Sequence, residues 1–149
     1  MKSLGRILIV EDDTKDVELT VMALERHHLS NKIVVTRDGV EALDYLYMRG
    51  KYENERHENP IVILLDLKMP RMDGLEVIRH LKSDIRTSLI PIVVLTSSRE
   101  DRDLAKCYEL GVNAYVVKPV KFKEFVDAVE SIGVFWALLN ETPKSELLQ

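Results

Sequence analysis

Five short apolar runs punctuate the chain: Arg6-Ile-Leu-Ile-Val10, Ile33-Val-Val-Thr36, Ile61-Val-Ile-Leu-Leu65, Ile92-Val-Val-Leu-Thr96 and Ala114-Tyr-Val-Val117. Runs this short and uniform read as strands. The third reads as a central strand buried on both faces, the kind found in parallel sheets. Between the runs, apolar residues recur at helical spacing. The sets are Val17, Val21 and Leu24; Leu43, Leu46 and Tyr47; Leu75, Ile78 and Leu81; Leu104, Ala105 and Tyr108; and Phe122, Phe125, Val126, Val129 and Ile132. Each predicts a helix with that face inward. Asp13 or Thr14 can cap the first, and Leu29-Ser30-Asn31 closes it. The second runs from Val40 to Met48, with Gly50 placed to end it. Lys51 to Asn59 is polar and without periodicity, so it reads as a surface loop. Strands and helices alternate five times, which calls for an α/β fold with a parallel sheet and helices on both faces.

The residues that end the strands carry the chemistry. The first run stops on Glu11-Asp12-Asp13, the third on Asp66, the fourth on Thr96 and the fifth on Lys118. In a parallel sheet these tips share one edge, where open α/β sheets bind ligands. The second run contributes no such group, which fits an outer position. Asp66 alone could equally be a cap for the turn that follows. The set of strand ends favours a site. Three crowded carboxylates repel one another, and a hard divalent cation relieves them. Mg²⁺ takes oxygen ligands and commonly shares a site with phosphate. Asp12 and Asp66 are the expected direct ligands, Glu11 acts through water, and the backbone carbonyl of Lys68 adds a neutral ligand. Asp66 can then act as a nucleophile towards phosphorus. Lys118 supplies a second positive charge and Thr96 a hydrogen bond to the phosphoryl oxygens.

Composition narrows the setting. The chain has 149 residues, 46% hydrophobic and 31% charged, with a formal net charge of -4. That suits one domain. It argues against a nucleic-acid surface, and no Lys/Arg stripe contradicts it. The single cysteine, Cys107, excludes an internal disulfide and fits a reducing cytoplasm, with the thiol as a small core residue. No segment reads as a signal peptide or a membrane span. The histidines form no site: His27 and His28 point apart on a helix, His57 lies in the polar loop, and His80 lies on an exposed helix face.

The blocks Ile-Leu-Ile-Val-Glu11-Asp12-Asp13, Leu-Leu-Asp66-Leu-Lys-Met-Pro70-Arg-Met-Asp-Gly74, Leu-Thr96-Ser97 and Tyr115-Val-Val-Lys118-Pro119 resemble the signature motifs of the response-regulator receiver family. The resemblance covers roughly residues 4–132. It implies a flavodoxin-like (βα)5 sandwich with sheet order 2-1-3-4-5. It implies Asp66 as phosphoacceptor, fed from a phosphohistidine on a sensor histidine kinase, and a cis Lys118-Pro119 bond. It also implies a switch in which phosphate draws Thr96 inward and Tyr115 follows. The readout face would then be the fourth helix, fifth strand and fifth helix. By this reading the protein catalyses only its own phosphorylation and dephosphorylation.

Residues 133–149 are expected to form a helical extension and tail, too short for an effector domain, so the expectation is a stand-alone receiver. Phe135-Trp136 either packs back over the fifth helix or forms an interface, for which a homodimer is the natural hypothesis. The loop before the third strand, the chain length and this aromatic pair resemble the small regulators paired with bacterial phytochromes. Other readings fit less well. A haloacid dehalogenase-type phosphatase needs an acid where Lys68 stands. A flavin carrier needs a phosphate loop where Glu11-Asp12-Asp13 would repel it. A degenerate scaffold would not be expected to keep all five site residues.

Overall fold

The computed structural model describes residues 5–26 and 32–141. His27, His28 and the helix stop at Leu29–Asn31 lie outside the described residues. The elements alternate: β1 (Ile7–Val10), α1 (Thr14–Glu25), β2 (Ile33–Thr36), α2 (Gly39–Leu46), β3 (Val62–Leu65), α3 (Gly74–Lys82), β4 (Ile92–Thr96), α4 (Asp101–Leu110), β5 (Ala114–Val117) and α5 (Phe122–Gly133). All strand pairs are parallel, in the order β2-β1-β3-β4-β5. The sheet order reverses between β1 and β3, so a crevice opens beyond their carboxyl ends.

Side chains alternate across each strand and build two cores. Leu8, Val10, Ile63, Leu65, Ile92 and Val94 face α2, α3 and Cys107 of α4. Ile7, Ile9, Val62, Leu64, Val93 and Leu95 face α1 and α5. Both faces are therefore apolar, which is why β1, β3 and β4 read as unbroken hydrophobic runs. Burying each such side chain contributes about 1.5–3 kcal/mol.

Several expectations need correction. The inner face of α4 is Asp103 and Cys107, while Leu104 and Tyr108 are exposed. An edge helix can turn a carboxylate inward where a hydroxyl meets it, and here Ser98 Oγ donates to Asp103 Oδ2 at 2.6 Å. Phe122 is exposed because it opens α5, ahead of the turns that reach the sheet. The second helix stops at Leu46, and Met48 takes the left-handed conformation (φ 53°) expected of Gly50. Gly50, also left-handed, instead opens a short 3₁₀ turn, Gly50–Tyr52. His57 is not a free loop residue. Its ring stacks on Tyr45 with centroids 4.2 Å apart, and its side chain is almost fully buried. The Lys118–Pro119 bond is trans, since no described peptide bond is cis. The isomers of an X-Pro bond differ by only about 0.5–1 kcal/mol, so the dipeptide alone does not fix the choice.

After α5 the chain continues directly into a π-helical segment, Val134–Leu139. Trp136 is half-buried against the α1/α5 core, whereas Phe135 is exposed. Their rings meet edge to face at 5.0 Å. No helix among the described residues is long and apolar enough to cross a membrane.

Candidate functional site

β1, β3, β4 and β5 each bring a polar side chain to the crevice, Thr96 as the last residue of its strand and Glu11, Asp66 and Lys118 just past theirs. The Asp66 N–H donates to Val10 O at 3.0 Å, and the Glu11 N–H donates to Thr36 O at 3.0 Å. These bonds extend the sheet by one residue and fix the two carboxylates side by side. The Lys118 N–H does the same towards Thr96 O at 2.7 Å. The loop after Asp66 is held closely by Gly74. A Cβ there would stand 2.4 Å from Asp66 O and 2.8 Å from Leu67 Cα, so only glycine lets α3 start so near the acid. Asp73 caps that helix by accepting from the Glu76 N–H at 3.0 Å.

Four of the sequence-predicted residues converge. Oxygens of Glu11, Asp12 and Asp66 lie within 4.8 Å of one another. Glu11 and Asp66 are buried and Asp12 is exposed, so the cluster opens to solvent on one side. The Lys118 ammonium donates to Glu11, to Asp66 Oδ2 at 3.1 Å and to Asp16 Oδ2 at 2.8 Å. Asp16 escaped the sequence reading. Its signal was position: it lies in the first turn of α1, three residues after the cap Asp13, where the helix start faces the strand ends.

The charges settle unequally. Burial, reinforced by the charge of Asp66, pushes the Glu11 carboxyl up to about 8 despite its bond from Lys118. Burial also works against ionised Asp66. The Lys118 charge and hydrogen bonds with Glu11, Thr96 and Lys118 outweigh it and hold Asp66 below its usual value. Lys118 is raised, since its bonds to Asp16 and Glu11 overcome its own burial. One acid of the pair therefore keeps a proton more readily than the other, as two carboxyls sharing a site must. A donor set of three clustered carboxylates, with one forced towards protonation, fits a hard divalent cation.

Thr96 is fully buried at the end of β4. Its Oγ1 accepts from the Ser98 N–H at 3.3 Å. The Tyr115 hydroxyl donates to Ser98 O at 3.0 Å. Ser98 thus joins the buried threonine, the strand-five tyrosine and Asp103 of α4. Lys68 points away from the carboxylates, with its Nζ 3.6 Å from Asp103 Oδ2. Its N–H stands 3.5 Å from Asp66 Oδ1. Phe135 and Trp136 lie outside this site, on the extension of α5.

Residues 7–130 match the response regulator receiver domain family. The response regulator Rcp1 of Synechocystis sp. is 38% identical over 130 residues, covering 87% of both chains. The Mn²⁺-bound form of response regulator Rcp1 superposes with a TM-score of 0.87 at 36% identity, covering 93% of this chain and 99% of that one. The phosphorylated cyanobacterial phytochrome response regulator RcpA gives a TM-score of 0.89 at 36% identity, covering 95% of this chain and all of that one. The bacteriophytochrome response regulator AtBRR is 56% identical over 94% of this chain and all of its own, with a TM-score of 0.75. The fold, the acidic edge and these likenesses agree, and the chain belongs to the response regulator receiver family.

Proposed function

We propose that Asp66 accepts a phosphoryl group from the phosphohistidine of a sensor histidine kinase, in a Mg²⁺-dependent reaction in the cytoplasm. The observation that carries this is the pairing of buried Asp66 with Lys118 at 3.1 Å beside Glu11 and Asp12. One Asp66 oxygen bonds to phosphorus as the bond from phosphorus to the donor nitrogen breaks, and the imidazole leaves with the electron pair. Lys118 follows the charge onto the phosphoryl oxygens. Asp12, Asp66, water-bridged Glu11 and the Lys68 carbonyl would hold the divalent ion, which supplies further charge neutralisation. Hydrolysis of the acyl phosphate returns Asp66 and inorganic phosphate. The chain thus catalyses only its own phosphorylation and its reversal.

The output is a shift of population. When the Thr96 hydroxyl turns to a phosphoryl oxygen, it leaves the Ser98 N–H. Tyr115, bonded to the same residue, responds. The face formed by α4, β5 and α5 already exposes Leu104, Tyr108 and Phe122, and Phe135 follows on the extension. We assign this face and the extension to homodimer contact, with Phe135 as the touching ring and Trp136 as its support. Residues 4–132 form the receiver and residues 133–149 the extension in this reading. The identity to AtBRR, described as a bacteriophytochrome response regulator, favours a phytochrome-type kinase as donor.

Intact-protein mass after incubation with acetyl phosphate tests the chemistry. One added phosphoryl group that requires Mg²⁺ and is lost in Asp66→Asn is the expected result. A shift that survives Asp66→Asn contradicts it. Sedimentation of the wild type and Phe135→Ala tests the dimer: monomeric wild type at high concentration, with and without phosphorylation, excludes it.

A further inference from the structure

Lys118 has three carboxylate partners, and one of them stands apart from the other two. Glu11 and Asp66 belong to the cluster whose oxygens gather within 4.8 Å; Asp16 does not. Asp16 lies in the first turn of α1, where its N–H donates to Oδ1 of the cap Asp13 at 2.9 Å and its carbonyl accepts from Thr20 Oγ1 at 2.7 Å. Its backbone is therefore pinned by the helix, and its Oδ2 lies 2.8 Å from Lys118 Nζ. The first turn of a helix is also a favourable place for a carboxylate.

A lysine ammonium has three donors and sits on a flexible stem. Two of its acceptors change character when the site works. Asp66 ceases to be a free carboxylate once it carries a phosphoryl group. Glu11 is engaged by the cation cluster. Asp16 stands outside that cluster and takes part in neither change. We infer that Asp16 is a positioning residue for phosphoryl transfer: it anchors Lys118 through an ion pair outside the acidic cluster and leaves the other two donors directed at Glu11 and Asp66. The inference rests on the phosphoacceptor reading above. It adds a structural link of its own, since the start of α1 is tied through Lys118 to the end of β5.

The test compares the wild type with Asp16→Asn and Asp16→Glu in the full chain. The Asn variant keeps the shape and removes the charge. A charge-assisted hydrogen bond of this kind corresponds to a rate loss on the order of tenfold. Phosphorylation by acetyl phosphate should slow by about that factor in Asp16→Asn and recover in Asp16→Glu. In a Lys118→Ala background Asp16→Asn should cause no further loss. A second readout needs neither metal nor phosphate. The Lys118 side-chain ammonium resonance in ¹⁵N-lysine-labelled, metal-free protein should shift or broaden in Asp16→Asn and return in Asp16→Glu. An unchanged rate and an unchanged resonance in Asp16→Asn overturn the inference while leaving the acceptor reading intact. If the wild type takes no phosphoryl group, the acceptor reading falls, and the resonance still decides whether Asp16 anchors Lys118.

Discussion

Ser98 donates its hydroxyl proton to Asp103 across 2.6 Å, and this bond fixes the start of α4 to the end of β4. Asp103 is buried, with 6% of its surface exposed. Removing the hydroxyl by Ser98→Ala leaves that carboxylate short of a partner. The cost of an unsatisfied buried acceptor is about 1–3 kcal/mol. Urea unfolding should show a loss of this size, and Asp103→Asn should lose less because an amide can still accept from Ser98. Wild-type stability in Ser98→Ala would show that the bond contributes nothing.

Lys68 reaches the same carboxylate from the loop beyond Asp66. Its side chain is mostly exposed and crosses the rim of the site. Truncation should open the path of the hydrolytic water. An exposed pair of this kind is worth about 0–1 kcal/mol, so Lys68→Ala should shorten the phosphorylated half-life by at most about fivefold. The half-life is followed by intact mass after removal of the donor. An unchanged decay refutes the role.

Glu11 and Asp66 give the metal-free protein opposite responses to pH. Glu11, raised from 4.5 to about 8 by burial, binds its proton more tightly when folded. Its contribution to stability is complete below about 4.5 and is lost as the pH rises through about 8. Asp66 lies below its usual value of 3.8, so its contribution is present above that value and is lost on acidification. Between about pH 5 and 8 the Glu11 trend dominates, and stability in chelator should fall with rising pH. Carboxylate ligands bind cations when ionised, so Mg²⁺ should raise the thermal midpoint more at the alkaline end. Equal Mg²⁺ shifts at both ends of the range would contradict this.

Gly74 sets how near α3 comes to the site. A methyl group there meets backbone atoms of Asp66 and Leu67, neither of which can rotate away. Overpacking of this kind costs about 1–3 kcal/mol. Gly74→Ala should show that loss in urea and phosphorylate more slowly, because Asp66 must move. Wild-type stability would mean that the loop relaxes freely.

Much of this was legible in the sequence, because each strand is an apolar run and most of the site residues stand at the end of one. Asp66 after Leu65, Thr96 after Leu95 and Lys118 after Val117 needed only the inference that parallel tips share an edge. Hydropathy misled where burial depends on a polar partner. Asp103 faces inward because Ser98, five residues earlier, meets it, and the apolar Leu104 and Tyr108 therefore face out. His57 read as loop because its partner Tyr45 lies in another element. Asp16 was hidden for a related reason. It ends no strand, and its partner Lys118 is distant in the chain.

The measurement that bears most directly on the site is chemical mapping of the phosphoryl group. An acyl phosphate is reduced by borohydride to the alcohol, which converts a phosphorylated aspartate to homoserine. After loading with acetyl phosphate and Mg²⁺, peptide mass analysis should find homoserine at position 66 and at no other acid of the cluster. Homoserine at Asp12 or Asp16, with Asp66 unmodified, would contradict the assignment of Asp66 as the nucleophile.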